Sequence, residues 1–169
     1  PDSELLCTAH SHGVRVVVVL LTNKTARQAD PNFFTKLLGN ASATDVMAEQ
    51  VAAAVAAAGF DGVEFDFETI TGYTQNASFD VGAAHVAMVK KTRAVVAAAV
   101  GPGATTTLTM GCVNATNPIY ADYMLDYPVD QLTRESDGIF IMAYDMWHGR
   151  RFCAGPNSPL AHIEENVGK

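Results

Sequence analysis

Phe60-Asp61-Gly62-Val63-Glu64-Phe65-Asp66-Phe67-Glu68 is the stretch whose reading decides the fold. Side chains of a β-strand alternate between its two faces. On that pattern Val63, Phe65 and Phe67 point one way, and Glu64, Asp66 and Glu68 point the other. One face suits burial under a helix, while the opposite face carries a ladder of carboxylates. Neighbours at i and i+2 stand roughly 6.5–7 Å apart along a strand. At that spacing poorly solvated acids titrate as a coupled set, and at least one pKa rises. Such a ladder opposes folding stability, so its explanation is sought in chemistry.

Working outward, the same alternation and capping rules lay out the flanking elements. Asp2 or Ser3 caps a helix over Glu4–Ser11, which Gly13 ends. Val14–Leu21 reads as a strand covered on both faces, because it is a continuous run dominated by Val and Leu. A polar loop containing Pro31 leads to a helix from Thr44 or Asp45 to Ala58, with Gly59 just beyond its end. After the acidic strand, Ser78 or Asp80 opens a helix to about Val100, stopped by Gly101-Pro102-Gly103. A strand over Ala104–Val113, a short helix over Val129–Ser136 and a strand over Gly138–Asp145 complete the pattern.

The order is α-β-α-β-α-β-α-β, and alternation of this kind implies parallel strands joined by helical crossovers. Two α/β architectures fit: a small doubly wound sheet, or part of a (β/α)8 TIM barrel. A complete barrel needs about 250 residues, so 169 residues supply roughly half of one. In both folds sites gather at the carboxyl ends of the strands, where Glu68 and Asp145 fall. An acidic face is accommodated more easily in the middle of a barrel than under a second helix layer.

Composition excludes several partners. The net charge is −7, and the 11 basic residues form no run, which argues against nucleic acid. The longest apolar runs are too short to span a bilayer, so no membrane is expected. Asn-X-Ser/Thr occurs at Asn23, Asn40, Asn76 and Asn114, which favours a secretory route, lysosomal or extracellular. Three dispersed cysteines, Cys7, Cys112 and Cys153, cannot all pair with one another, and at least one is expected to be a buried free thiol.

Three uses of the ladder compete. A solvated edge strand fits poorly with its position between two helices. A Mg²⁺ or Ca²⁺ site would draw acids from several strands, and no His stands beside these. Acid–base chemistry on an uncharged polar substrate fits best, because crowded carboxylates retain a proton to near neutral pH. His10, His12, His85, His148 and His162 are dispersed and form no nucleophile or zinc pattern. His10 and His12 read as helix-end residues, and Arg150 and Arg151 as a solvated loop.

With these residues in place, Asp61-Gly-Val-Glu-Phe-Asp-Phe-Glu68 resembles the D-x-x-D-x-D-x-E signature on the fourth strand of family 18 glycoside hydrolases. Met142-Ala-Tyr144-Asp145 resembles the Met-x-Tyr-Asp motif of their sixth strand, and the intervening α-β-α matches the order of that barrel. Within the family, SELLCTAHSHGVRVVVVL, MAYDMW and CAGPNSPL are similar to the di-N-acetylchitobiase branch. The resemblance implies a barrel segment covering about strands three to six, one partial catalytic domain over 1–169. It implies hydrolysis of β-1,4 bonds between N-acetylglucosamine units by a substrate-assisted retaining mechanism. Glu68 would be the acid and base, Asp66 would hold the substrate acetamide, and Tyr144 and Asp145 would complete that side. Glu64, Met142 and Trp147 would line the sugar site, with no metal or cofactor, in a protein that is monomeric at full length. One departure is Glu64, where the family commonly has Asp. The alternatives are a non-hydrolytic chitin-binding lectin of the same fold, whose members usually lack the acid kept here as Glu68, and an inactive fragment. The segment alone is expected to hydrolyse poorly, because half a barrel leaves apolar strand edges open.

Overall fold

In the computed structural model, residues 2–21, 30, 32–67, 74, 77–111, 128–142 and 144 are described. Among these residues the elements in chain order are α1 Ser3–Ser11, β1 Val17–Leu21, α2 Phe33–Leu38, α3 Ala41–Ala58, β2 Gly62–Asp66, α4 Val81–Val100, β3 Thr105–Gly111, α5 Val129–Glu135 and β4 Gly138–Met142.

Each longer helix begins where a side chain satisfies free backbone donors. The Asp2 carboxylate accepts from the Glu4 and Leu5 N–H groups at 3.0 and 3.2 Å, and Asp80 accepts from Ala83 at 2.9 Å. Helix α3 starts at Asn40 rather than at Thr44 or Asp45, because the Asn40 amide oxygen accepts from Ser42 and Ala43 at 3.0 and 3.3 Å. Thr44 then lies in the first turn, buried, and its hydroxyl donates to the Leu37 carbonyl at 2.9 Å. That bond ties α3 to α2, a helix not anticipated within the polar loop. Phe34, Leu37 and Leu38 follow its i, i+3, i+4 spacing and are all buried. Helix α3 ends on Gly59, whose φ of 75° is left-handed and favours glycine.

The four strands form one parallel sheet in the order β1-β2-β3-β4. Right-handed crossovers between consecutive neighbours keep all their helices on one face, whereas a doubly wound sheet must reverse its order. The chain is therefore an arc of a (β/α)8 barrel. Val18, Leu20, Val63, Phe65 and Leu108 pack on that face with Ala52 and Val55 of α3 and Met88, Val89 and Val96 of α4. Among the described residues no helix packs on the other face. Val19, Leu21 and Phe140 there are 44%, 66% and 56% exposed. Strand β1 thus departs from the doubly covered strand its composition suggested. Its apolar alternate residues face the barrel interior, which opposing strands fill in a closed barrel.

Two Asp-Gly pairs fasten the strand starts. Asp61 accepts from the Val16 N–H at 2.7 Å and faces His10 at 2.9 Å, just ahead of β2. Asp137 accepts from the Thr106 N–H at 2.8 Å and is bound by Arg93, just ahead of β4. Burial opposes the Asp61 charge, but the Val16 and His10 hydrogen bonds and the nearby His10 and Arg15 charges outweigh it and hold its pKa below the usual value. His10 and His12 lie at the end of α1, as expected, and Cys7 in the same helix is a free, exposed thiol. Cys112 and Cys153 lie outside the described residues, as do His148, His162, Arg150 and Arg151. His85 of α4 is buried, and burial pushes its pKa down to about 4.

Gly62 admits no side chain, because a Cβ there would stand 1.9 Å from the Thr105 carbonyl oxygen. That contact is with backbone, so rotamer changes cannot relieve it. Gly62→Ala is expected to lower the urea midpoint by an amount equivalent to about 3 kcal/mol or more, the upper end of overpacking. An unchanged midpoint would contradict this account of the β2–β3 approach.

Candidate active site

The site begins with the anchoring of β2. Phe65 and Phe67 are buried and meet edge to face at 5.4 Å, and Phe67 meets Phe34 of α2 at 5.5 Å. This aromatic packing fixes the parity of the strand and turns Glu64 and Asp66 to the helix-free face. Register pairs Glu64 with Val19 on one side and Thr107 on the other. Further across, Thr107 pairs with Gly138, Thr109 with Phe140 and Gly111 with Met142. Met142 consequently shares the carboxylate face, one strand beyond β3.

No Lys, Arg or His occupies an inner-face position of the four strands. The carboxylates are compensated by a neutral donor instead: the Thr109 hydroxyl donates to Glu64 Oε1 across the β2–β3 seam. Asp66 has no such help among the described residues, and its buried Oδ1 makes no hydrogen bond. Burial first, and the charge of Glu64 second, push the Asp66 carboxyl above its ordinary pKa. Among the described residues, an elevated pKa of the kind foreseen for at least one ladder acid falls on Asp66. Thr109 was not foreseen. Its one legible signal is the run Thr105, Thr107, Thr109 on alternate positions of β3.

Tyr144 lies two residues beyond Met142 and is 45% exposed. Glu68, Asp145 and Trp147 are outside the described residues. Among the described residues no cluster of His, Cys, Asp and Glu is arranged to hold a metal ion, and no helix is long and apolar enough to cross a membrane. A shallow cleft bordered by Leu38, Gly39, Phe79, Asp80 and Lys91 lies in the helix layer rather than on the carboxylate face.

Comparison with known proteins agrees with this geometry. The profile described as Glycosyl hydrolases family 18 matches residues 18–169. A chitinase from Chromobacterium violaceum superposes with a TM-score of 0.76 at 12% identity, over 99% of this chain and 49% of that one. A class V chitinase from Pseudomonas fluorescens gives 0.73 at 19% identity, over 97% and 48%. The second catalytic domain of an Ostrinia furnacalis Group II chitinase, a mutant in complex with penta-N-acetylchitooctaose, gives 0.68 at 17% identity, over 98% and 44%. The chain thus spans about half the length of these structures, and at such identities the likeness concerns the fold. No curated protein matches the sequence.

A carboxyl whose folded-state pKa is raised stabilises the fold below its unfolded pKa, and that contribution is lost as pH rises through the folded value. Asp66 therefore costs stability at neutral pH. Asp66→Asn is expected to raise the urea midpoint near neutrality, with the gain vanishing in acid, below the ordinary Asp range. Equal midpoints at neutral pH would remove the strain assigned to Asp66.

Proposed function

Because the chain belongs to glycosyl hydrolase family 18, we propose that it forms part of a retaining glycosidase acting on β-1,4-linked N-acetylglucosamine oligosaccharides. The observation that carries this reading is Asp66. Its buried Oδ1 is unpartnered, its carboxyl is biased toward holding a proton, and it shares with Glu64 the sheet face left free of helices. The unpartnered oxygen is the feature that suits the N–H of a substrate acetamide.

The proposed chemistry needs one protein carboxyl to move protons and one substrate carbonyl to act as nucleophile, the substrate-assisted exception to the two-carboxylate scheme. Glu68, two residues along the ladder from Asp66, donates its proton to the glycosidic oxygen as the bond from that oxygen to the anomeric carbon breaks. The acetamide oxygen of the same sugar bonds to the anomeric carbon, giving an oxazolinium ion. Asp66 accepts a hydrogen bond from the acetamide N–H and balances the positive charge, and Tyr144 donates to the acetamide oxygen. Glu68, now ionised, takes a proton from water, which attacks the anomeric carbon and reopens the ring with retention. Asp145 supports the Tyr144 side, and Met142 and Trp147 line the sugar. The finer substrate we assign is chitobiose, free or as the core of an N-glycan, handled in the secretory route by a monomeric protein.

Glu68→Gln in the intact enzyme is expected to lower the rate of N-acetylglucosamine release from chitobiose by about 10²–10⁴-fold, the usual contribution of a general acid. Tight oligosaccharide binding with no turnover by the unmutated protein would favour the lectin alternative, and undiminished activity in the variant would remove Glu68 from its role. For the compartment, Asn40 is exposed at the start of α3, and among the described residues its side chain is engaged through the amide oxygen, which suits a glycan on the nitrogen. Protein from a secretory host is expected to show glycan mass on the Asn40 peptide, and its absence from all four sequon peptides would argue against that route.

A further inference from the structure

The cleft in the helix layer brings an aromatic ring and charged groups to the flank of a sequon. Its volume is about 350 Å³, and its lining mixes apolar Leu38, Phe79 and Ala84 with charged Asp45, Asp80 and Lys91. Ligand pockets span roughly 300–1,000 Å³, so the space suits one small group. Phe79 is only partly buried against the core. Its ring crosses the main chain so closely that a Cβ on Gly39 would stand 2.7 Å from Phe79 Cε1, and equally from the Thr35 carbonyl oxygen. Glycine at 39 thus lets the ring sit beside the backbone one residue before Asn40. Gly39 and Ala41, the two chain neighbours of Asn40, both border the cleft. The Asn40 amide oxygen is fixed there by the Ser42 and Ala43 N–H groups, so a group carried on its nitrogen starts at the cleft rim.

We infer that this cleft seats the first N-acetylglucosamine of a glycan on Asn40, which packs on Phe79 and closes the junction of α2, α3 and α4. The inference rests on the secretory-route part of the proposed function and goes beyond it, because sequon occupancy alone leaves a glycan projecting into solvent. The sugar presents an apolar C–H face and an acetamide methyl, and covering the open part of the Phe79 ring with them removes apolar surface from water. The ring is already held by the core, so little further ordering opposes the contact. Lys91 of α4 and Asp45 of α3 form an ion pair at 3.1 Å whose side chains are about half exposed, and each keeps hydrogen-bonding capacity for a further partner. Sugar hydroxyls and the acetamide N–H donate to carboxylates, and the acetamide oxygen accepts from an ammonium group. Two carboxylates and one ammonium give the cleft no pull on an anion, which leaves an uncharged polar group as the better match. The sequon at Asn76, whose Ser78 directly precedes Phe79, is the competing source of the same sugar.

The test uses the intact protein from a secretory host, its glycans trimmed by an endoglycosidase to single N-acetylglucosamine residues. Peptide mass analysis should find the sugar on Asn40, and one acetamide methyl signal in the NMR spectrum should be displaced upfield by the Phe79 ring. Ser42→Ala removes the sequon and keeps the backbone N–H that caps α3, so it should delete that signal. It should also lower Tm by about 1–3 °C, the scale of one contact in a chain of this size or larger. Phe79→Leu should return the methyl signal to its ordinary position, and in that background Ser42→Ala should no longer change Tm. Ser78→Ala, which removes the Asn76 sequon, should leave the displaced signal in place; its loss there would move the sugar to Asn76 and overturn the assignment. An undisplaced methyl on an occupied Asn40, or a sugar on other sequon peptides and none on Asn40, would overturn this inference and leave the secretory route standing. No sugar on any sequon peptide would overturn both. Should Phe79→Leu fail to fold, the displaced signal and its deletion by Ser42→Ala decide the matter in the parent protein.

Discussion

Two carboxylates on one face of one strand are the constraint around which this structure is arranged. Strand β2 must place Glu64 and Asp66 together, because Phe65 and Phe67 are claimed by the helix layer on the other side. Like charges so close in a partly dry setting repel, and no basic side chain of the sheet stands near enough to offset them. The fold answers with a neutral hydroxyl on one acid and leaves the other holding its proton more tightly. Stability is therefore supplied elsewhere, by the apolar layer between β2, α3 and α4 and by the tethers at the strand starts.

Much of the fold was legible because periodicity and capping are local. The alternation in 60–68 determined which residues of β2 face inward, and Asp2, Asp80 and Gly59 end their helices where short-range chemistry demands. The errors have equally local causes. Asn40 outcompeted Thr44 and Asp45 as a cap because its amide oxygen reaches two free N–H groups, which composition alone does not rank. Helix α2 was hidden by its length of six residues beside Pro31, although its buried trio follows helical spacing. Strand β1 misled because an apolar run does not reveal whether its second face meets a helix or the inside of a barrel.

The site was legible only in part, and for a different reason. Glu64, Asp66 and Met142 could be placed on one face from parity, since each belongs to a strand with clear alternation. Thr109 could not, because its importance depends on the register between β2 and β3, and register is a property of two segments far apart in sequence. The same holds for Asp61 and Asp137, whose Asp-Gly pairs look like ordinary turns until their carboxylates are seen to bind the strand next door.

Those two tethers separate the labour of the two ends of the sheet. Both act at the amino ends of the strands, remote from the carboxylates, and each uses a side chain and a backbone amide to align neighbouring strands. Alignment secured there does not draw on the functional end of the sheet, and side chains other than the two tethering carboxylates can change while the strands keep their register. A backbone trace shared with proteins at 12–19% identity is the outcome such an arrangement permits.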